Sequence, residues 1–244
     1  MIGIIGGSGL SQLDGLLLEK HMRRETPFGE PSAPLLVGTF SGKDVVFLPR
    51  HGAHHTIPPH LINYRANIWA MHQLGVKQLI SIASVGGITE NYSPGVLALP
   101  DQIIDYSWGR ESSFGSEDFT VEKHIDFTYP FDETLRQRLQ LAANSEEMSV
   151  INGGTYAVTQ GPRLETAAEI QRLKKDGADV VGMTAMPEAV LARELKIAYA
   201  SVVVVANHAA GLNAHPLAID AIMEAMKFSM KQVNRLLKSA IPLL

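Results

Sequence analysis

Short runs of β-branched and aliphatic residues alternate along the chain with segments whose apolar residues recur every three or four positions. Such alternation is typical of a β-sheet whose strands are connected by helices. The run Val202–Val205 contains no polar residue, which favours a strand buried on both faces. The predicted strands are 2–5, 36–40, 45–48, 78–82, 149–156, 180–182 and 198–205. The predicted helices are 61–74, 135–143, 165–175, 187–195 and 216–237.

No repeat of fixed period, Gly/Ser-rich linker or block of charge divides the chain, so the pattern predicts one α/β domain over residues 1–244 with a largely buried sheet. In such sheets, ligands usually bind where loops leave the ends of the strands. The loops that follow the predicted strands of this chain contain its most unusual residues. These loops are therefore the first place to look for a functional site.

Composition and charge exclude several classes of protein. With 45% hydrophobic and 19% charged residues among 244, the chain is typical of a globular domain. The 21 Lys and Arg against 25 Asp and Glu give a net charge of −4, which argues against a nucleic-acid partner. There is no Cys, and the apolar stretch Ile197–Ala206 is too short to span a bilayer. We expect a cytoplasmic protein with neither a membrane nor a nucleic-acid partner.

The first unusual loop is Gly6–Leu10, which reads Gly-Gly-Ser-Gly-Leu directly after a predicted strand. Glycines allow several backbone N–H groups to approach one anion, and the Ser8 hydroxyl adds a donor. The motif lacks the third glycine of a dinucleotide fingerprint and the Lys-Ser/Thr of a P-loop. A plain tight turn explains these residues equally well.

The second loop begins with Arg50 and His51 and contains His54 and His55. Three histidines invite a metal interpretation, but the prolines that follow disfavour a helix presenting ligands at regular spacing. A guanidinium at a strand end is better suited to a phosphate or carboxylate, because it offers a planar fork of donors. A solvated loop with one structural His is the alternative.

Four further loops offer polar groups at strand ends or helix starts. The Ser84 hydroxyl stands among small residues, where either a ligand or close packing explains the sequence. Glu165 falls at the start of a predicted helix, where it either complements the helix dipole or accepts a ligand N–H. Met183 and Thr184 precede another helix and suit an apolar ligand face and an anion. Asn207 follows the valine run, where it either caps a turn or binds a ligand.

Taken in order, these motifs resemble those of the trimeric purine nucleoside phosphorylase and methylthioadenosine phosphorylase family. The resemblance runs from residue 2 to about residue 235. The matching segments are Gly-Gly-Ser-Gly-Leu at 6–10, Arg-His-Gly at 50–52, Asn-Tyr-Arg-Ala-Asn-Ile-Trp-Ala at 63–70, Gly-Pro-Arg-Leu-Glu-Thr at 161–166, Gly-Met-Thr at 182–184 and Asn207.

The resemblance implies a three-layer, phosphorylase/hydrolase-like fold with a mixed sheet flanked by helices. It also implies that phosphate cleaves a purine nucleoside to the free base and a ribose 1-phosphate, with no metal or organic cofactor. His124 matches a position that reaches the neighbouring subunit's site, which implies a homotrimer. The implied phosphate ligands are Ser8, Arg50, His51, Ser84 and Thr184. The implied catalytic residues are His51, Glu165 and Asn207.

The residues expected around the base favour a 6-oxopurine. Leu164 would flank the base and Met183 the ribose. Glu165 can accept from N1–H, while the Asn207 amide can donate to O6 and accept from N7. The adenine-specific branch of the family has aspartates at the positions of Asn207 and Ala209 and Ser at the position of Glu165. These differences predict selection against 6-aminopurines.

Near the sugar 5′ group, the resemblance implies three apolar residues, Ile219, Ile222 and Met223, which favour a methylthio group over a hydroxyl. His215 is a nearby alternative that suits a 5′-hydroxyl. The sequence therefore predicts phosphorolysis of S-methyl-5′-thioinosine to hypoxanthine and 5-methylthioribose 1-phosphate. The alternatives are phosphorolysis of inosine and guanosine, phosphorolysis of methylthioadenosine, and purine binding without catalysis.

Overall fold

The computed structural model describes residues 1–7, 10, 13–115, 120, 121 and 124–212, the backbone of 219–227, and all of 228–244. Its strands are β1 (Ile2–Gly6), β2 (Leu17–Met22), β3 (Leu35–Phe40), β4 (Lys43–Pro49), β5 (Gln78–Gly87), β6 (Leu97–Leu99), β7 (Gln102–Asp105), β8 (Val150–Asn152), β9 (Thr155–Val158), β10 (Val180–Gly182) and β11 (Ala198–His208). Its α-helices are α1 (Tyr64–Gln73), α2 (Glu133–Ser145), α3 (Ala167–Lys175), α4 (Ala185–Glu194) and α5 (Ile219–Ala240). Single 3-10 turns occupy Pro59–Leu61 and Ile241–Leu243.

The strands form one mixed sheet, as the family resemblance implied. Its main path runs β2-β3-β4-β1-β5-β10-β9-β7, while β11 pairs with both β5 and β6, and β8 pairs with β6. The strands β4, β1, β5 and β11 run parallel to their neighbours in that group, so their carboxyl ends lie at one edge of the sheet. The strand β10 runs antiparallel to β5.

Helices cover both faces of the sheet and give the expected three layers. Residues of α1 and α4 share one apolar cluster with alternate residues of the strands, and residues of α2 and α5 share the other. In β11, Val203 and Val205 belong to the first cluster, whereas Val202 and Val204 belong to the second. The four-valine run is therefore apolar because helices cover the strand on both sides.

Both central strands extend past their predicted ends. The strand β5 continues through Ser84 to Gly87, and β11 continues through Asn207 to His208. The register between them shifts between Val205 and Asn207, which marks Ala206 as a bulge. A bulge redirects the side chains that follow it. Ser84 and Asn207, which were predicted to lie in loops, therefore lie within the sheet, near the ends of β5 and β11.

Some predicted elements are wrong in detail. The single strand predicted at 149–156 is two strands, because Gly153 and Gly154 have φ values of +125° and +105° that interrupt it. The strands β2, β6 and β7 were not predicted, since β2 is an exposed edge strand and the other two have only three and four residues. Within the described ranges, no helix combines the length and apolar character that a bilayer span needs.

Two helices begin later than predicted. The helix predicted from residue 61 is a 3-10 turn followed by α1, and the Asn63 side chain caps α1 by accepting from the N–H of Ala66 at 3.0 Å. The helix predicted from Glu165 begins at Ala167 after the N-cap Thr166. In both cases a side-chain cap fixes the first turn, which apolar periodicity alone does not reveal.

Candidate active site

A cavity of about 290 Å³ opens at the edge of the sheet where β1, β4, β5 and β11 end. Its walls bring together most of the residues that the sequence singled out. The predicted residues that line it are Arg50, His51, Ser84, Leu164, Glu165, Met183, Thr184, Asn207 and Ala209. These residues come from five separate segments, and the parallel strand ends explain why the segments meet.

The other predicted site residues are not among the described residues that line this cavity. Ser8 and His215 lie outside the described residues. Ile219, Ile222 and Met223 lie on the first turns of α5, of which the backbone is described. His124 is exposed and does not line the cavity of its own chain, and its expected role across a subunit interface stays a prediction.

Arg50 is completely buried and forms an ion pair with the equally buried Glu188, which lies on α4. The guanidinium donates from Nε to Glu188 Oε2 at 2.7 Å and from Nη2 to Glu188 Oε1 at 2.9 Å. Nη2 also donates to Ser81 Oγ at 2.7 Å, and Nη1 donates to the carbonyl of Ile82 at 3.0 Å. Burial opposes the charged form, but the Glu188 carboxylate raises the pKa of Arg50 above its ordinary value.

The ion pair with Glu188 limits how Arg50 can bind an anion. A guanidinium has five N–H donors, and four of them are directed to these protein acceptors. One Nη1 hydrogen remains for a ligand. Nη1 lies beside Gly7, where an added Cβ would stand 2.8 Å from it and 2.5 Å from the carbonyl oxygen of Ile82. Glycine at position 7 therefore lets the backbone close against the guanidinium.

His51 is buried and neutral near pH 7. Burial, followed by the charge of Arg50, lowers the pKa of His51 from 6.5 to about 4. Its Nδ1 lies 2.8 Å from the carbonyl oxygen of Ile57. Because a carbonyl only accepts, Nδ1 carries the proton and Nε2 is left as an acceptor. His51 thus offers an acceptor rather than a positive charge.

Two hydroxyls complete this end of the cavity. Ser84 lies on β5 two residues beyond Ile82, whose carbonyl accepts from Arg50. Thr184 immediately precedes α4, and within the described chain its side chain makes no capping hydrogen bond to that helix. Its hydroxyl is therefore not committed to the helix end. Met186 interrupts the start of α4 with non-helical φ and ψ, so the regular helix begins at Pro187, as predicted.

Glu165 lies in the segment between β9 and α3 and faces the cavity. Its Oε1 accepts a hydrogen bond from the Thr159 hydroxyl at 2.6 Å. The first-turn carboxylate of α3 is Glu169, which forms a capping box with Thr166. The helix-start role therefore belongs to Glu169, and Glu165 lies on the wall of the cavity.

Asn207 is half-buried on the bulged end of β11 and pairs with Gly86 of β5. Its Nδ2 donates to the carbonyl oxygen of His208 at 2.6 Å. An amide nitrogen has two hydrogens, so one donor and the carbonyl oxygen of the side chain remain for a ligand. Gly86 lies four residues beyond Ile82 on β5, so Arg50 and Asn207 flank successive parts of the same strand end.

Sequence reasoning missed two charged residues around the cavity. Glu188 was assigned no role, although it neutralises Arg50. Arg110 donates to the carbonyls of Gln160, Met183 and Met186 at 2.6–2.8 Å, and thereby joins the two loops that carry Leu164 and Thr184. Arg110 stands in an irregular segment with no periodicity, so no sequence signal could have found it.

Among the described residues, no group of three or more His, Asp or Glu side chains is arranged to hold a metal ion. The rings of His51 and His55 lie 4.4 Å apart between their centroids.

The fold and this site define a class of protein. Residues 1–242 match the sequence profile of the Phosphorylase superfamily, and the chain belongs to that family. Its curated relatives include a protein named Probable S-methyl-5'-thioinosine phosphorylase from Pseudomonas syringae pv. tomato, with 46% identity over 95% of this chain and 94% of the relative. Another is the 6-oxopurine nucleoside phosphorylase of Pyrococcus furiosus, with 42% identity over 100% of this chain and 92% of the relative.

Solved structures show the same fold. Methylthioadenosine phosphorylase from Schistosoma mansoni, in complex with adenine, is similar with a TM-score of 0.94 and 33% sequence identity. The similarity covers 99% of this chain and 91% of that chain. The same architecture thus occurs in proteins named for 6-oxopurine substrates and in proteins named for 6-aminopurine substrates. Individual side chains, rather than the fold, must therefore decide which purine is bound.

Proposed function

We propose that this protein catalyses the phosphorolysis of S-methyl-5′-thioinosine to hypoxanthine and 5-methylthioribose 1-phosphate. The observation that carries the proposal is that one cavity is lined by Glu165 and Asn207 and also by Arg50, His51 and Thr184. The first two residues suit a 6-oxopurine, and the other three suit phosphate. A substrate that joins a base to a sugar, attacked by phosphate, requires both sets in one cavity.

Phosphate would bind at the Arg50 end. The hydroxyls of Ser84 and Thr184 and the remaining Nη1 hydrogen of Arg50 would donate to it, while neutral His51 would accept from its P–OH. Because Glu188 already balances the charge of Arg50, hydrogen bonds rather than a free positive charge would hold the anion. The Asn207 end of the cavity would hold the base, with the ribose between the base and the phosphate.

In the proposed reaction, a phosphate oxygen forms a bond to C1′ as the bond from C1′ to the base nitrogen N9 breaks. The electron pair of that bond goes to the purine, which takes a proton from solvent water at N7. The Asn207 side-chain oxygen would accept from N7–H, and its free amide hydrogen would donate to O6. These contacts strengthen as charge develops on the leaving base, so they stabilise the transition state more than the substrate.

The base contacts support a 6-oxopurine over a 6-aminopurine. Glu165 accepts only, which matches N1–H of hypoxanthine and opposes the unprotonated N1 of adenine. A site that is built around a substrate hydrogen bond can reject the mismatched analogue by roughly 10⁴-fold. The name of the Pseudomonas syringae relative supports the same choice and adds the methylthio group.

A general 6-oxopurine nucleoside phosphorylase is the second candidate, and the Pyrococcus furiosus relative favours it. The two candidates differ at the sugar 5′ group. Ile219, Ile222 and Met223 would contact a methylthio group, whereas His215 would bind a hydroxyl. Inorganic phosphate is the proposed co-substrate, with no metal or organic cofactor.

The proposal includes a cytoplasmic homotrimer with sites at its interfaces. The segment that contains His124 carries several exposed large apolar side chains, including Trp108 and Tyr129, which are 72% and 70% exposed. Exposed apolar patches of this kind mark protein interfaces. Sedimentation at several protein concentrations tests the trimer, and cell fractionation tests the location.

The test of the reaction compares base release from S-methyl-5′-thioinosine, inosine and methylthioadenosine, each with and without phosphate. We expect rapid, phosphate-dependent release of hypoxanthine from S-methyl-5′-thioinosine, unaffected by a chelator. A faster reaction with inosine would assign the 5′ site to a hydroxyl. A faster reaction with methylthioadenosine would refute the roles of Glu165 and Asn207, and no cleavage at all would favour a purine-binding protein.

The Asn207→Asp variant tests the base pocket directly. An aspartate cannot donate to O6 but can accept from a 6-amino group, so the preference should shift toward methylthioadenosine by at least tenfold. Unchanged selectivity would contradict the assignment of Asn207 to the base.

A further inference from the structure

Thr159 is held in a fixed position directly behind Glu165. Its backbone N–H donates to the carbonyl of Gly182 at 2.8 Å, and its own carbonyl accepts from Arg110 Nη2 at 3.3 Å. With the backbone fixed on both sides, the Thr159 hydroxyl reaches Glu165 Oε1 at 2.6 Å. A carboxylate only accepts, so the hydroxyl is the donor.

This contact leaves the two oxygens of Glu165 unequal. Among the described residues, the Thr159 hydroxyl is the only hydrogen-bond donor to the Glu165 carboxylate. Oε1 therefore has a hydrogen-bond partner that fixes the rotation of the carboxylate, while Oε2 accepts from none of the described residues. A short hydrogen bond to a charged group is among the stronger contacts that a side chain can make.

Purine bases differ in how many donors they present at this edge. Hypoxanthine has one donor, N1–H, next to C2–H. Guanine has two adjacent donors, N1–H and the 2-amino group, which are satisfied best by both oxygens of one carboxylate. Each carboxylate oxygen has two acceptor sites, and Thr159 takes one of those on Oε1, so the carboxylate matches a base with a single donor better than a base with two.

We propose that Thr159 is a positioning residue that orients Glu165 and sets the preference of the pocket for hypoxanthine over guanine. The inference rests on the proposed function, because it assumes that Glu165 faces a purine base. It assigns the choice between two 6-oxopurines to a residue behind the one that contacts the base.

The experiment uses Thr159→Val, which keeps the branched shape and removes the donor, and Thr159→Ser, which keeps the donor. Binding of hypoxanthine and guanine is measured by calorimetry in the presence of phosphate, together with kcat/KM for the nucleoside that the wild type cleaves. We expect Thr159→Val to weaken hypoxanthine binding about tenfold and to move the guanine-to-hypoxanthine affinity ratio at least fivefold toward guanine. Thr159→Ser should keep the wild-type ratio.

A matched control is available at Thr89, whose hydroxyl donates to Asp179 Oδ1 at 2.9 Å and which does not line the cavity. Thr89→Val removes the same kind of bond elsewhere and should leave the base ratio unchanged. If Thr159→Val weakens both bases equally, or if Thr159→Ser shifts the ratio as the valine does, the inference is wrong. Should Thr159→Val fail to fold, Thr159→Ala provides the same comparison.

The outcomes separate this inference from the proposed function. If the wild type binds hypoxanthine but cleaves no nucleoside, the proposed reaction fails while the binding ratios still test Thr159. If the wild type cleaves S-methyl-5′-thioinosine and the Thr159→Val ratio does not move, the reaction stands and the inference fails.

Discussion

Replacing Glu188 with Gln should strongly destabilise this protein, because it leaves the buried charge of Arg50 without a counter-ion. Arg50 and Glu188 are 0% and 1% exposed. The carboxylate accepts from Arg50 Nε and Nη2 and also from the Tyr199 hydroxyl at 2.9 Å. A carboxamide has one acceptor oxygen and an NH2 group that would face other donors.

Removing one partner of a buried pair costs about 3–5 kcal/mol. For a chain of this length, each kcal/mol lowers Tm by about 2–4 °C, so the expected decrease is roughly 10 °C. Thermal and urea unfolding, followed at one protein concentration, measure the change. Glu111→Gln is the control, since Glu111 is 73% exposed and its pair with Arg65 at 3.4 Å should be worth less than about 1 kcal/mol.

A double variant separates lost charge balance from lost packing. Replacing Arg50 with Met and Glu188 with Leu removes both charges, and such replacements are often neutral or stabilising. The double variant should be about 2 kcal/mol more stable than Glu188→Gln. A Glu188→Gln protein no less stable than the Glu111→Gln control would refute the argument that Arg50 depends on this carboxylate.

Three further predictions concern individual residues. The pKa of His51 is about 4 in the folded protein and 6.5 in its ordinary state, so the unfolded chain binds the proton first as the pH falls. The free energy of unfolding should therefore decrease by about 2 kcal/mol between pH 7.5 and pH 5. His51→Gln should lose that part of the pH dependence, and equal slopes for both proteins would contradict it. Arg110→Lys cannot reproduce a planar fork that reaches three carbonyls, so we expect a lower Tm and a higher KM for phosphate, and an unchanged KM would separate Arg110 from the Thr184 loop. Thr166→Ala removes the capping box of α3 and should cost about 1 kcal/mol in urea unfolding, whereas a cost near zero would show that the cap is dispensable.

The local pattern of the sequence was sufficient for the α/β class and for most of the central elements. The valine run of β11 is readable because burial on both faces leaves no polar position within it. The motifs at strand ends also identified nine residues that line one cavity, because ligand-binding loops follow strands. Short edge strands such as β7 carried no such signal, since four residues have too little periodicity to recognise.

Only the tertiary structure decided how the site residues are paired. Arg50 and Glu188 are 138 positions apart, and nothing local in either segment indicates that they neutralise each other. Because Thr166 is the N-cap of α3, the carboxylate in the first turn is that of Glu169 and not that of Glu165. A sequence specifies which groups are present, but hydrogen bonds between distant segments depend on distances and directions that exist only after the sheet has brought those segments together.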